Sequence, residues 1–157
     1  MEITIEPSTI DDRDFAFRVT EEAMRTYVEQ AFGSWDRDAQ KRRSHEAFDP
    51  ATCSLVVVDR ERAGILVVED RPLEIFLLKI FLLPRFQRQG IGSIVIGRLL
   101  ERDRVVAKPL RLRVLHVNPA RALYQRLGFV ETSDTADHVY MEYAPADGDL
   151  TADEGDG

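Results

Sequence analysis

Between Leu73 and Leu83 the chain is almost wholly apolar; Pro84 then stops the run, and a short turn leads to Gly90 and Gly92. A strand broken by proline and followed by a helix that opens on two spaced glycines constrains the fold strongly, because sheet and helix must meet at that one turn. The first amides of a helix lack intrahelical acceptors and carry the positive end of its dipole. Glycine leaves no Cβ in the way, so an anionic group such as a pyrophosphate can approach bare backbone there. Gln87 and Arg88 add side-chain donors. Two familiar phosphate loops are excluded: no G-x-x-x-x-G-K-[ST] occurs, and Val95 stands where G-x-G-x-x-G needs its last glycine.

The net charge of -7 hides an asymmetry. Residues 1–84 carry 11 basic and 17 acidic side chains, residues 85–126 carry 10 and 2, and residues 127–157 carry none and 9. The basic middle coincides with the glycine turn, where it would draw in a ligand bearing several phosphates. Part of it is plain solvated helix surface. The acidic first part disfavours a nucleic-acid partner and favours a cationic one.

A chain of 157 residues suits one domain, expected over residues 1–144, with 145–157 an acidic, small-residue tail read as disordered. No apolar run reaches the ~18 residues of a spanning helix, and the charged start Met1-Glu2-Ile3-Thr4 does not read as a signal peptide. No membrane partner is therefore expected. Cys53 is the only cysteine, which points to a reducing, cytoplasmic setting and a buried inert thiol.

Period-2 alternation and turn residues predict strands at Ile3–Glu6, Cys53–Asp59, Ile65–Glu69, Leu73–Leu83 and Leu110–Val117, with a final hairpin of Phe129–Thr132 and Val139–Tyr143. Turns are expected at Arg60-Glu61-Arg62 and Asp70-Arg71-Pro72. A first helix is capped by Thr9 or Asp11 and carries Phe15, Val19, Ala23, Tyr27 and Val28 on one side. A polar helix spans Trp35–Phe48. A third runs from Gly90 to about Val106 with Ile91, Ile94, Val95 and Leu99 inward, and a fourth spans Pro119–Leu127. Asn118 caps this last helix, Pro119 fills its first position, and Gly128 stops it. Tyr124 lies on it beside Ala120 and Leu127, as a core tyrosine or a functional phenol.

The stretch Leu83-Pro84-Arg85-Phe86-Gln87-Arg88-Gln89-Gly90-Ile91-Gly92 resembles the [QR]-x-x-G-x-[GA] signature of GNAT N-acetyltransferases. The stretch Val117-Asn118-Pro119-Ala120-Arg121-Ala122-Leu123-Tyr124-Gln125-Arg126-Leu127-Gly128-Phe129 resembles the second half of the same core. The similarity covers Leu55 to Tyr143. It implies an α/β (α+β) fold: a splayed mixed, mostly antiparallel sheet flanked by helices, with acetyl-CoA wedged between the fourth and fifth strands. The resemblance implies that pantetheine pairs with the backbone at Phe81, Leu82 and Leu83. Gln87, Arg88, Gln89, Gly90, Ile91, Gly92 and Ser93 would hold the pyrophosphate. Asn118 would touch the pantetheine arm. Tyr124 would protonate the departing thiolate, which a phenol of pKa ~10 can do at neutral pH.

An alkylammonium acceptor must lose a proton before it attacks. Arg113 stands where some relatives carry glutamate, so the base is sought elsewhere. Glu74 is the first choice, as against a solvated strand end. His116, Lys79 and a water chain are the alternatives, and Lys79 is equally readable as a buried cation with a carboxylate partner or one emerging at a bulge. The resemblance places the acceptor over the loop between the first two helices. There Tyr27, Phe32 and Trp35 form an aromatic wall aided by Glu29, or Phe32 and Trp35 pack a helix corner. The expected activity is direct transfer from acetyl-CoA to a primary amine, small-molecule or peptide, in a ternary complex. No metal takes part, and a homodimer is compatible with this reading. The rival is a non-catalytic acyl-CoA-binding regulator.

Overall fold

The computed structural model describes residues 1–143, without the side chains of 103–106; the expected tail 145–157 lies outside the described residues. The elements run β1 (Ile3–Pro7), α1 (Arg13–Phe32), α2 (Arg37–Ala47), β2 (Cys53–Val58), β3 (Glu61–Asp70), β4 (Ile75–Leu82), α3 (Ile91–Val106), β5 (Leu110–Leu115), α4 (Ala120–Arg126), β6 (Val130–Asp134) and β7 (His138–Tyr143). The strand order is β1-β2-β3-β4-β5-β7-β6. β4 and β5 run parallel, while β1–β2, β2–β3, β5–β7 and β6–β7 are antiparallel. This is the mixed, mostly antiparallel sheet with helices that the sequence led us to expect.

The chain divides into two compact units. The first comprises residues 1–68 and 78–92. Its α1 is entered through a 3-10 turn, Ile10–Asp12, fixed by a reciprocal cap: Thr9 Oγ1 accepts from the Asp11 amide and Asp12 Oδ2 accepts from the Thr9 amide. Asp12 is itself buried and pairs with Arg62 at 2.9 Å. Ala16, Phe17 and Val19 are the buried residues of α1, whereas Phe15, Ala23, Tyr27 and Val28 are only half-buried. Asp36 caps α2 by accepting from the Ala39 amide at 3.1 Å, which starts that helix two residues after Trp35.

The β2–β3 turn is shorter than expected. Asp59 and Arg60 both take left-handed backbone, φ 49 and 70, as a two-residue hairpin demands. Glu61 and Arg62 therefore belong to β3 rather than to a loop. Asp59 also ties down β1, accepting from the Glu2 amide at 2.7 Å. Gly64 on β3 lies so close to β4 that a Cβ there would overlap the Phe81 carbonyl oxygen. Only glycine permits that approach.

The second unit comprises residues 69–77 and those from 93 onward. Ile75, Leu77, Leu110, Leu112, Val139 and Met141 are almost fully buried. β4 and β5 meet in register at Ile75–Leu110, Phe76–Arg111 and Leu77–Leu112. Each such aliphatic side chain contributes roughly 1.5–3 kcal/mol when removed from water. Leu73 is not part of this strand: it is 80% exposed, and the Arg71 amide closes a turn onto the Glu74 carbonyl instead. On α3 the buried stripe is Ile91, Val95, Ile96 and Leu99. Ile94, expected inward, is 42% exposed, because the stripe centres on Val95 and Leu99 and leaves Ile94 on the far edge.

Candidate active site

In the first unit, β4 runs into a 3-10 turn at Pro84–Phe86 and then into α3. Arg88 adopts φ 63 and Gly90 φ 81, so left-handed residues flank Gln89 on both sides. Gly90 tolerates this backbone without cost, and a Cβ there would meet nothing within 4 Å. Space above the turn is therefore open, and the amides of Gly90, Ile91 and Gly92 begin the helix without intrahelical acceptors. Among the described residues they donate no hydrogen bond elsewhere.

The two glutamines of the turn act inward. Gln87 Nε2 donates to the Leu82 carbonyl at 2.9 Å and Gln89 Nε2 to the Arg85 carbonyl at 2.7 Å. They brace the loop, which corrects the expectation that Gln87 simply offers a donor to an anion. Arg85 is held by Glu61 at 2.6 Å. Arg88 is exposed and, among the described residues, has no carboxylate partner. The basic middle segment is thus partly neutralised: Arg85, Arg102, Lys108, Arg111 and Arg121 are all in ion pairs, and Arg88 beside the turn is not.

The backbone of β4 discriminates among Phe81, Leu82 and Leu83. Leu83 donates its amide to Ala63 on β3 at 2.8 Å, and the Phe81 carbonyl lies against Gly64 of β3. Successive strand residues alternate the side on which their polar groups lie. Leu82, and by the same alternation Ile80, therefore direct backbone groups away from β3. An extended ligand pairing with this strand would use Leu82 and Ile80, not Phe81 and Leu83. The sequence missed Ile80 because only the Leu83–Ala63 bond sets the parity.

In the second unit, Asn118 Oδ1 accepts from the Ala120 amide at 2.9 Å and starts α4 as expected. Tyr124 is the buried residue of that helix and meets Phe129 edge to face, with centroids 5.6 Å apart. Burial pushes its phenol up to about 12, so it holds its proton throughout the neutral range. Among the described residues no group accepts that proton. The arrangement suits a proton donor, though not a base.

Glu74 is placed differently from its expected role. Arg71 donates to Oε2 at 2.7 Å and Arg111 to Oε1 at 3.0 Å, and Arg111 also binds Glu142. These two guanidinium groups, Arg71 first, hold the Glu74 carboxyl below its ordinary value. A carboxylate so stabilised is a poor proton acceptor, and Glu74 reads instead as the tie between the start of β4 and β5. His116 is also engaged. Its Nε2 lies 3.0 Å from the Thr135 carbonyl, so that nitrogen carries the hydrogen, while Nδ1 faces Arg121 at 3.4 Å and accepts. Neither nitrogen is left for a substrate proton.

At the corner of α1 and α2, Trp35 donates its indole N–H to Glu21 at 3.0 Å, and Arg37 pairs with the same carboxylate. Glu29 is exposed and lies 3.6 Å from Arg25. Tyr27 is half-buried and Phe32 is 54% exposed. No ring of Tyr27, Phe32 or Trp35 stacks on another among the described residues. Trp35 thus packs a helix corner, and the continuous aromatic wall is not formed.

The family model for the acetyltransferase (GNAT) domain matches residues 50–131. Among solved structures, the chain resembles the PaiA N-acetyltransferase from Thermoplasma acidophilum in complex with coenzyme A, at 17% identity over 92% of this chain and 99% of that one, with a TM-score of 0.71. It resembles an acetyltransferase from Thermus thermophilus at 17% identity over 92% and 97%, with a TM-score of 0.72. The ribosomal-protein-S18-alanine N-acetyltransferase from Escherichia coli matches at 22% identity over 91% and 94%, with a TM-score of 0.65. At such identities the structures establish shared fold. A search of curated proteins returns no match. The family model covers more than half the chain, and the chain belongs to the GNAT acetyltransferase family, whose co-substrate is acetyl-CoA. No helix among the described residues is long and apolar enough to cross a membrane.

Proposed function

We propose that this chain is an N-acetyltransferase that moves the acetyl group of acetyl-CoA directly to a primary amine in a ternary complex, with residues 1–144 acting as one catalytic domain. The observation that carries this reading is the turn from Arg88 to Gly92: left-handed backbone at Arg88 and Gly90, open space above Gly90, a guanidinium with no carboxylate partner among the described residues, and a helix N-terminus together. Arg88 to Ser93 then bind the pyrophosphate through their amides, with Gln87 and Gln89 bracing the loop. The pantetheine arm runs back along β4 and pairs with Leu82, while Asn118 contacts the arm. The amine nitrogen attacks the thioester carbonyl, the tetrahedral intermediate gives up a nitrogen proton to solvent and collapses, and sulfur leaves with the electron pair of the C–S bond. Tyr124 gives that thiolate its proton, a step suited to a phenol that burial keeps protonated.

The acceptor, a small molecule or a peptide terminus, is placed against the α1–α2 corner beside Tyr27, Glu29 and Trp35. Exposed Phe32 favours this, since a large ring left in water there lacks a partner. The setting is cytoplasmic, where acetyl-CoA and a reduced Cys53 coexist, and neither nucleic acid nor membrane is a partner.

A non-catalytic acyl-CoA-binding regulator is favoured by one finding, that Glu74 and His116 are both spent on structural bonds. The free, protonated hydroxyl of Tyr124 weighs against it. CoA release from acetyl-CoA, screened over polyamines, amino acids, aminoglycosides and peptides, separates the two. Turnover with any amine establishes the enzyme, and saturable acetyl-CoA binding with no turnover on any of them establishes the regulator.

A further inference from the structure

With Glu74 held by two arginines, both nitrogens of His116 engaged and Tyr124 protonated, Lys79 stands apart. It is half-buried in β4, continuing at two-residue spacing the face of Ile75 and Leu77. Among the described residues it has no carboxylate and no hydrogen-bond partner. The charges at the start of neighbouring β3 are committed elsewhere, Glu61 to Arg85 and Arg62 to Asp12. The titratable group that faces it is the Cys53 thiol of β2, which burial pushes toward its neutral form. An ammonium desolvated without a counter-charge is costly, and burial lowers the pKa of Lys79 accordingly. The lysine thus has what the other groups lack: an amine that burial without a counter-charge biases toward its neutral, proton-accepting form.

Its place in the strand matters as much. From Leu83 back to Lys79 the strand covers ~13 Å at ~3.3 Å per residue. If the pyrophosphate sits at the start of α3 and the arm runs back along Leu82, its acyl end lies toward Lys79. We propose that Lys79, as a neutral amine, takes the proton that the acceptor ammonium surrenders as its nitrogen attacks the acetyl carbonyl, an assignment that rests on the transfer reading above. Lys79 takes the first of the two protons the nitrogen must lose, freeing its lone pair for attack, and the second passes to solvent as the tetrahedral intermediate collapses; the new bond is C–N, the broken one C–S, and the thiolate takes the Tyr124 proton. Lys79 afterwards returns its proton to solvent, from which Tyr124 regains one.

The test compares wild type with Lys79→Met and Lys79→Arg, using the best amine from the screen. Arginine stays charged at every pH used and cannot accept a proton. Both variants should bind CoA with unchanged Kd, and both should lose roughly 100-fold or more in kcat/KM at neutral pH. Their activity should recover only as pH approaches the acceptor's own pKa near ~10. Lys79→Arg with full activity and an unmoved acid limb would overturn the proposal and leave water as the base. Appearance of the acetyl group on Lys79 itself, read by mass spectrometry, would overturn it too, since the lysine would then be an acceptor. Should the variants fail to fold, trace labelling of wild type with acetic anhydride decides: Lys79 must turn reactive well below the pH at which exposed lysines do. A wild type that releases no CoA with any amine sinks the transfer reading and the proposal with it, whereas an active wild type with an unaffected Lys79→Arg sinks the proposal alone.

Discussion

Tyr124 presents its ring edge-on to Phe129, with 5.6 Å between centroids and 62° between planes, and this contact fixes the phenol while leaving its hydroxyl without an acceptor among the described residues. Tyr124→Phe keeps the ring pair and removes only the proton. The melting temperature at neutral pH should change little, while kcat falls roughly 10- to 1,000-fold with acetyl-CoA affinity preserved. An undiminished kcat on an accepted amine would return Tyr124 to the core.

The same residue makes a prediction in alkali. The phenol's folded value of about 12 exceeds its ordinary 10.0, so the unfolded chain loses this proton first. Stability from Tyr124 is complete below the unfolded value and drains away as pH rises through the folded one, by about 2–3 kcal/mol in all. Phenolate absorbance should therefore show one of the four tyrosines titrating late. Tyr124→Phe should remove that late step and flatten the alkaline decline in stability. A late step that survives the substitution belongs to another tyrosine.

Gly90 and Gly33 make a matched pair, since both have left-handed backbone, φ 81 and 92, and a Cβ at either meets nothing within 4 Å. Alanine should cost each about 1–2 kcal/mol of stability, purely from backbone strain. Only Gly90→Ala should also weaken acetyl-CoA binding, because only that turn faces the pyrophosphate in the proposed complex. Calorimetry on both variants checks it; equal CoA affinity in the two would remove the pyrophosphate from this turn.

The sequence made the glycine turn, the Asn118 cap and the succession of strands along the chain legible because each depends on local chemistry: a proline stop, a helix start, a period of two. It did not disclose the fate of Glu74 or Trp35, for a side chain's role there depends on partners elsewhere in the chain, and Gln87 could serve either an anion or the nearby Leu82 carbonyl, which no sequence pattern separates. Arg111 and Glu74 are 37 residues apart, and nothing in either segment names the other. The β2–β3 turn escapes the sequence for a different reason: Asp59 and Arg60 adopt left-handed backbone without a glycine to announce it.

Glu74→Gln tests whether that carboxylate is structural. Its folded pKa is lowered by Arg71 and Arg111, so its stabilisation is present above the ordinary carboxylate range and is lost as pH falls through the folded value. The variant should be about 1–3 kcal/mol less stable at neutral pH, the scale of a charge-assisted pair, and should unfold with a shallower acid dependence. Its acid limb in kcat/KM should stay where the wild type's lies. A shift of that limb would restore Glu74 as the base.

Gly64 sets how closely β3 and β4 approach. A Cβ there would overlap the Phe81 carbonyl oxygen and press on a Leu82 methyl 2.9 Å away, and backbone on both sides leaves little room to give. Gly64→Ala should therefore cost about 1–3 kcal/mol, the usual scale of overpacking, by forcing β3 and β4 apart. Because Leu82 supplies the backbone proposed to pair with pantetheine, the displacement should also raise the Kd for acetyl-CoA. The nucleotide half of CoA alone, 3′-phosphorylated ADP without the pantetheine arm, should bind the variant as it binds wild type, since the turn at Arg88 to Gly92 is untouched. Loss of affinity for both ligands alike would mean that the strand and the turn move together, and that pantetheine pairing at Leu82 is not what Gly64 protects.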